Sequence, residues 1–117
     1  MSEIAGRNLT RFGLTERDTE VIIETLATFE EIEEAVIFGS RAMGHAKRSS
    51  DVDLALKGKR LDSPTIARVK FVLEEERPLP YFFDVVHYDA LTNPALKAHI
   101  DHEGRTLYEG VATCLEG

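Results

Sequence analysis

One short stretch of this chain constrains its fold and its chemistry more than any other. It consists of the Gly-Ser pair 39–40, ten further residues, and the Asp-Val-Asp triplet 51–53. An apolar run over 35–38 leads into the Gly-Ser pair, and a second run over 52–57 contains the later aspartate. Short apolar runs bounded by turn residues predict β-strands. Because alternate residues of a strand share a face, we expect the two aspartates side by side, with the intervening apolar residues facing the core.

Asp51 and Asp53 in this arrangement predict a metal site. Two carboxylates on one face of a strand repel each other, and one pKa rises unless a cation neutralises the pair. Mg²⁺ is the typical cation, since it prefers oxygen ligands and is commonly shared with substrate phosphates. The alternative interpretation is that the aspartates only end a strand at the protein surface.

Gly39 and Ser40 predict a phosphate-binding turn. A Gly-Ser turn that opens a helix offers backbone N–H groups and a hydroxyl to a phosphate, and glycine allows close backbone approach. Residues 39–50 contain three basic and no acidic residues, a local charge of +3 in a chain whose remainder carries −10. We expect Arg41 and Lys47 of this loop to contact a triphosphate. The alternative is a loop whose cations only balance neighbouring acids.

The Gly-Ser pair, its spacing and the Asp-x-Asp pair resemble the signature of the DNA polymerase beta nucleotidyltransferase superfamily. The resemblance covers roughly residues 20–108 and is greatest to the minimal nucleotidyltransferases, short proteins often paired with a helical HEPN partner. That family has a third carboxylate on a later strand, and Asp84, within the strand-like run 82–86, matches it. The resemblance implies that Asp51 and Asp53 bridge two Mg²⁺ ions. It also implies that Asp84 binds one ion and accepts the proton of the acceptor hydroxyl. The alternative for Asp84 is the solvent face of a strand.

The order of helical and strand-like patterns predicts an α+β sandwich, and the family resemblance implies the polymerase-beta-like palm with the same architecture. We expect a mixed sheet with the helices on one face, in a single domain over 1–117 whose residues 1–13 form a loosely ordered arm. The predicted helices are 15–31, 40–46, 63–76 and 93–104, and the predicted strands are 35–38, 51–57, 81–87 and 106–108.

Charge and composition exclude several classes of function. The net charge of −7 argues against broad nucleic-acid binding, which needs a basic surface. No apolar run approaches the ~20 residues of a membrane span, and the first residues lack the apolar segment of a signal peptide, so we expect a cytoplasmic protein. Cys114 is interpreted as an incidental thiol. His99 and His102 are interpreted as the polar face of the last helix and not as zinc ligands.

These patterns predict a Mg²⁺-dependent nucleotidyltransferase that moves a nucleoside monophosphate, most favourably AMP from ATP, to a hydroxyl group. With 117 residues the chain has a catalytic palm but no second domain to select an acceptor, so a partner is expected to supply it. The resemblance implies a HEPN-type toxin as that partner, with this chain as antitoxin. Two alternatives remain: a non-catalytic nucleotide-binding antitoxin that acts by complex formation, and a transferase acting on an antibiotic or an RNA end.

Overall fold

The computed structural model of the protein describes residues 11–44 and 51–110. Lys47 and Cys114 therefore lie outside the described residues. The elements in chain order are a 3₁₀ turn (Arg11–Gly13), α1 (Glu16–Ala27), β1 (Glu34–Phe38), β2 (Val52–Lys57), α2 (Ser63–Phe71), a π-helical turn (Val72–Glu76), β3 (Phe83–His87), a second 3₁₀ turn (Tyr88–Ala90), α3 (Pro94–Glu103) and β4 (Arg105–Glu109). No helix among the described residues is both long and apolar enough to span a bilayer.

The four strands form one mixed sheet in the order β3-β2-β1-β4. Strand β1 lies between β2 and β4 and is antiparallel to both, whereas β2 and β3 are parallel. The α+β fold class expected from the sequence is confirmed. Because of these directions, the end of β1 and the beginnings of β2 and β3 meet at the same edge of the sheet, and that edge carries the predicted site residues.

Both faces of the sheet are covered, which corrects the expectation that all helices lie on one face. Helices α1 and α2 cover the face that includes Ile37 and Leu54, whereas Ile100 of α3 packs on the opposite face against Val36 and Phe38. The reason is visible in β1, whose last four residues are all buried. A strand with two apolar faces needs cover on both sides.

The helix boundaries differ from the expected ones where capping and glycine conformation decide them. Helix α1 ends at Ala27 instead of residue 31. Asp62 caps α2 by accepting a hydrogen bond from the Thr65 N–H at 3.0 Å. The expected helix over 40–46 is replaced, in its described part, by hydrogen-bonded turns. There the Met43 N–H donates to the Gly39 carbonyl at 3.2 Å, and Gly44 adopts φ +80°. A left-handed residue at that point ends helical geometry.

The end of the expected arm belongs to the folded structure. Residues 11–13 form a 3₁₀ turn, and the Phe12 side chain packs against the main core. Phe12 adopts φ +66° and is the one non-glycine residue of the described chain with positive φ. That conformation is uncommon for a residue with a Cβ, so other contacts must stabilise it.

Candidate active site

The three predicted carboxylates lie at one edge of the sheet. Asp53 of β2 and Asp84 of β3 are register partners across the parallel strand pair, and Asp51 immediately precedes β2. Asp51 and Asp84 are exposed, and Asp53 is half-buried. The expected alternation is confirmed, since the apolar residues at 52, 54 and 56 are fully buried on the opposite face.

The electrostatics of this edge of the sheet favour the binding of a cation. Burial raises the pKa of Asp53 above its ordinary value, and the neighbouring charges of Asp84 and Asp51 raise it further. Arg41 and His99 act in the opposite direction but do not cancel the shift. Like charges held this close disfavour ionisation of the pair, which a bound cation would reverse.

The carboxylates fit Mg²⁺ by donor chemistry. All three offer only oxygen, the ligand type that this ion prefers, and at least one of them carries unfavourable like-charge repulsion. Within residues 11–44 and 51–110, however, no three His, Cys, Asp or Glu side chains converge into a complete metal site. Substrate phosphate and water would have to complete the coordination of an ion held there.

Gly39 begins the turn that faces these carboxylates. It follows Phe38, the register partner of Asp53, and adopts φ +77°. A Cβ at residue 39 would overlap the Asp53 carboxylate oxygen Oδ2. Ser40, beside it, is exposed. The turn thus lies directly against the edge of the sheet that carries the three carboxylates.

His99 is a site residue that the sequence interpretation missed. Its Nε2 accepts a hydrogen bond from the Gly39 N–H at 3.2 Å, and its ring packs edge-on against Phe38 with the centroids 6.1 Å apart. The helical spacing of His99 and His102 was interpreted as a polar face. The buried Ile100 next to His99 was the available signal that this part of α3 faces the sheet.

Arg41 is buried, with 1% of its surface exposed. Its Nη1 donates hydrogen bonds to the carbonyls of Phe12 at 3.0 Å and Gly13 at 3.3 Å, and its guanidinium lies 5.0 Å from the centroid of the Tyr81 ring. Burial lowers the pKa of Arg41, while Tyr81 and Asp53 oppose that shift. These contacts indicate a residue that supports the turn from within. The expected contact of Arg41 with a triphosphate stays a prediction.

Tyr81 extends this support to α1. Its hydroxyl donates a hydrogen bond to Asp18 Oδ2 at 2.7 Å, while its ring lies under the Arg41 guanidinium. The first residues of the described chain, the Gly-Ser turn and the approach to β3 are therefore connected by one polar network. No local sequence pattern indicates these contacts, because the partners are up to 63 residues apart.

A groove of about 650 Å³ opens elsewhere on the molecule, between the end of α1 and helix α2. Its lining includes Arg60, Arg68 and Arg77 together with three glutamates, and none of the predicted site residues. Because the groove shares no lining residue with the predicted site, it is a separate feature of the surface.

Comparison with known proteins agrees with this geometry. Residues 20–111 match the family model described as Polymerase beta, Nucleotidyltransferase. No curated protein sequence matches the chain.

Several solved structures share the fold. A toxin–antitoxin structure with AMP-PNP aligns with a TM-score of 0.66 and 22% identity, covering 81% of this chain and 76% of that chain. A complex of a tri-AMPylated Shewanella oneidensis HEPN toxin with its MNT antitoxin aligns with a TM-score of 0.62 and 19% identity, covering 86% and 76%. An MntA–HepT toxin–antitoxin structure aligns with a TM-score of 0.62 and 19% identity, covering 87% and 78%. At these identities the likeness is one of fold.

Proposed function

The chain belongs to the polymerase beta nucleotidyltransferase family, and we propose that it transfers AMP from ATP to a hydroxyl group of a protein partner. The observation that carries this proposal is the pairing of Asp53 with Asp84 at the sheet edge faced by the Gly39 turn. Transfer of a nucleotidyl group requires carboxylates that can bind a cation next to a turn that can bind phosphate.

In the proposed reaction, the acceptor hydroxyl oxygen forms a bond to the α-phosphorus of ATP. The bond from that phosphorus to the oxygen of pyrophosphate breaks, and pyrophosphate leaves. Asp84, exposed at the edge of the sheet, accepts the hydroxyl proton. Asp51, Asp53 and Asp84 would hold Mg²⁺, which would supply positive charge to stabilise the negative charge of the transferred phosphoryl group. Ser40 and Lys47 bind the β- and γ-phosphates.

The partner is proposed to be a helical HEPN-type toxin, with this chain as its antitoxin. Two of the fold neighbours are described as toxin–antitoxin complexes that contain an AMPylated HEPN toxin or a bound ATP analogue. The net charge of −7 also suits a basic, RNA-cleaving partner by electrostatic complementarity. A separate acceptor protein would supply the contacts that select one hydroxyl group for modification.

The test is co-expression with a HEPN-type protein encoded by a neighbouring gene, followed by incubation with Mg²⁺ and labelled ATP. Intact mass spectrometry is expected to show one or more added AMP groups on the partner, and Asp84→Asn is expected to abolish them. Addition of AMP to a free small molecule by the chain alone, with the partner unmodified, would overturn the choice of acceptor.

A second candidate function is a non-catalytic antitoxin that binds its partner and is regulated by nucleotide. One observation favours it. Two of the groups expected to bind phosphate have internal partners, since the Gly39 N–H donates to His99 and the Arg41 guanidinium donates to Phe12 and Gly13. Neutralisation of the toxin by Asp84→Asn protein, at wild-type stoichiometry and without AMP transfer, would select this function.

A further inference from the structure

We propose that Lys70 and Glu74 form a clamp on the main chain of Phe83 that positions Asp84, the next residue, for metal binding. This inference rests on the proposed function, because it assigns a positioning role toward the third carboxylate of that site. Neither residue belongs to the Gly-Ser or Asp-x-Asp elements. We call the pair the Phe83 clamp.

The clamp binds both polar groups of one residue. The Phe83 N–H donates to Glu74 Oε2 at 2.7 Å, and Lys70 Nζ donates to the Phe83 carbonyl at 2.5 Å. Lys70 Nζ also donates to Glu74 Oε2 at 2.9 Å, which closes the set of three contacts. The Glu74 side chain is 15% exposed, so its bond to Phe83 is largely protected from water. Partial burial opposes ionisation of Glu74, but the bonds from Phe83 and Lys70 outweigh it and lower its pKa.

Strand β3 needs this support because it is an edge strand. Among the described strands its one neighbour is β2, and the Phe82 carbonyl accepts a hydrogen bond from the Val52 N–H at 2.9 Å on that side. Main-chain groups of successive strand residues point to alternate sides, so those of Phe83 point away from β2. Unpaired edge groups of this kind are a template for pairing with another chain. The clamp occupies them with side chains from α2 and the π-helical turn.

Helix stability alone does not explain the pair. Lys70 and Glu74 are four residues apart with the lysine first, which is the less favourable order for stabilising a helix. Glu74 lies in the π-helical turn Val72–Glu76, and such turns occur frequently at functional sites. The widened turn begins directly after α2 and presents Glu74 to the first residue of β3.

The position of Asp84 follows from that of Phe83. The Phe83 side chain is 1% exposed and anchored in the core, and the clamp fixes its main chain on the outer side. Asp84 is exposed, so few packing contacts restrain its own side chain. A misplacement of about 1 Å in a catalytic group can cost on the order of 100-fold in rate. The clamp therefore acts through the backbone on the geometry of the third carboxylate.

The test measures metal binding as well as activity. Glu74→Met removes the acceptor for the Phe83 N–H, Glu74→Gln retains an acceptor oxygen, and Glu75→Met makes the same chemical change at the next, exposed residue. We expect Glu74→Met to weaken Mn²⁺ binding and lower kcat by roughly 10–100-fold, the range typical of residues that orient metal ligands. The KM of Glu74→Met for ATP is expected to change less than twofold. Glu74→Gln is expected to retain most of the Mn²⁺ affinity and of kcat, and Glu75→Met is expected to match the wild type in both.

The decisive comparison repeats the Mn²⁺ calorimetry in the Asp84→Asn background. If the clamp acts through Asp84, Glu74→Met has no further effect on Mn²⁺ affinity in the Asp84→Asn background. If Glu74→Met fails to fold, Lys70→Met replaces it, and the same result is expected. An equal loss in both backgrounds, or wild-type Mn²⁺ affinity in the folded clamp variants, overturns the inference while leaving the proposed function intact. A wild-type protein that binds no Mn²⁺ overturns the proposed function and the clamp with it.

Discussion

The backbone of Gly39 lies so close to the carboxylate of Asp53 that no side chain fits between them. A Cβ at residue 39 would overlap Asp53 Oδ2, and the glycine also adopts φ +77°. The contact arises because Phe38 and Asp53 are register partners of β1 and β2, so the chain turns directly beside the carboxylate. The Gly39 turn and the strand that carries Asp53 therefore form one structural unit.

Gly39→Ala is expected to damage both stability and activity. A Cβ in the left-handed region costs about 1–2 kcal/mol, and here the methyl group must also displace the Asp53 carboxylate. Gly44→Ala is the matched control, since Gly44 has φ +80° and no atom of the described residues lies within 4 Å of an added Cβ. Both variants place a Cβ at a positive φ, but only Gly39→Ala displaces Asp53. Urea unfolding measures the stability of each variant and Mn²⁺ titration its metal affinity, so the two effects can be separated. Equal metal affinity in the two variants would contradict this reading of the contact.

Asp53→Asn and Asp84→Asn are each expected to abolish nucleotidyl transfer without unfolding the protein. Each variant removes a negative charge from a carboxylate pair in register across β2 and β3. Chelation of divalent ions in the wild-type protein is expected to give the same loss, reversed by adding Mg²⁺. Activity assays and thermal melts of each variant check this. If the Asp53→Asn/Asp84→Asn double variant retained Mg²⁺-dependent transfer at the wild-type rate, a metal bound by these carboxylates would be refuted.

The stability of the metal-free protein is expected to depend on the ionisation of Asp53. Because burial, and then Asp84 and Asp51, raise its pKa above 3.8, the folded protein retains a proton at pH values where the unfolded chain has lost it. The contribution of Asp53 is therefore favourable at low pH and is lost as the pH rises through the folded pKa. Asp53→Asn should raise the melting temperature at pH 7, by an amount that shrinks toward pH 4. A difference that does not change with pH would count against this origin.

Arg41→Met is expected to lower the free energy of unfolding markedly. Its effect on the preference for ATP over adenosine is expected to be smaller. The variant keeps an apolar stem but removes two hydrogen bonds from a charged donor to Phe12 and Gly13, each worth about 1.5–3 kcal/mol. Denaturant unfolding measures the loss. Calorimetry with ATP and with adenosine provides the control. A loss of affinity confined to ATP, with stability unchanged, would instead restore Arg41 as a direct phosphate ligand.

His99→Leu is expected to release the Gly39 turn. The Gly39 N–H loses its acceptor, at a cost of about 0.5–1.5 kcal/mol, while His99→Gln can still accept that hydrogen bond through its side-chain oxygen. We expect weaker ATP binding in His99→Leu and partial rescue in His99→Gln. His102→Leu, on the exposed side of α3, is the control. Identical ATP affinity in all three variants would show that the contact has no part in nucleotide binding.

The sequence by itself determined the strand pattern that carries the site. Alternation along β2 follows from backbone geometry alone, so Asp51 and Asp53 could be assigned to the face opposite the buried Leu54. The place of Gly39 beside the aspartates followed from the family spacing. Asp84 was identified because the family resemblance implies a third carboxylate on a later strand, and the run 82–86 is strand-like. These features are local, and their periodicity can be recognised within a few residues.

Only the tertiary structure decided which distant residues support that pattern. Helix α3 brings His99 to Gly39 because both faces of β1 are apolar and one helix must cross the second face. The burial of Arg41 depends on Phe12, and the clamp on Phe83 depends on where the π-helical turn meets the edge strand. These contacts join residues from 9 to 60 positions apart. Local periodicity carries no information about them, because strand register and helix packing bring such residues together only in the assembled fold.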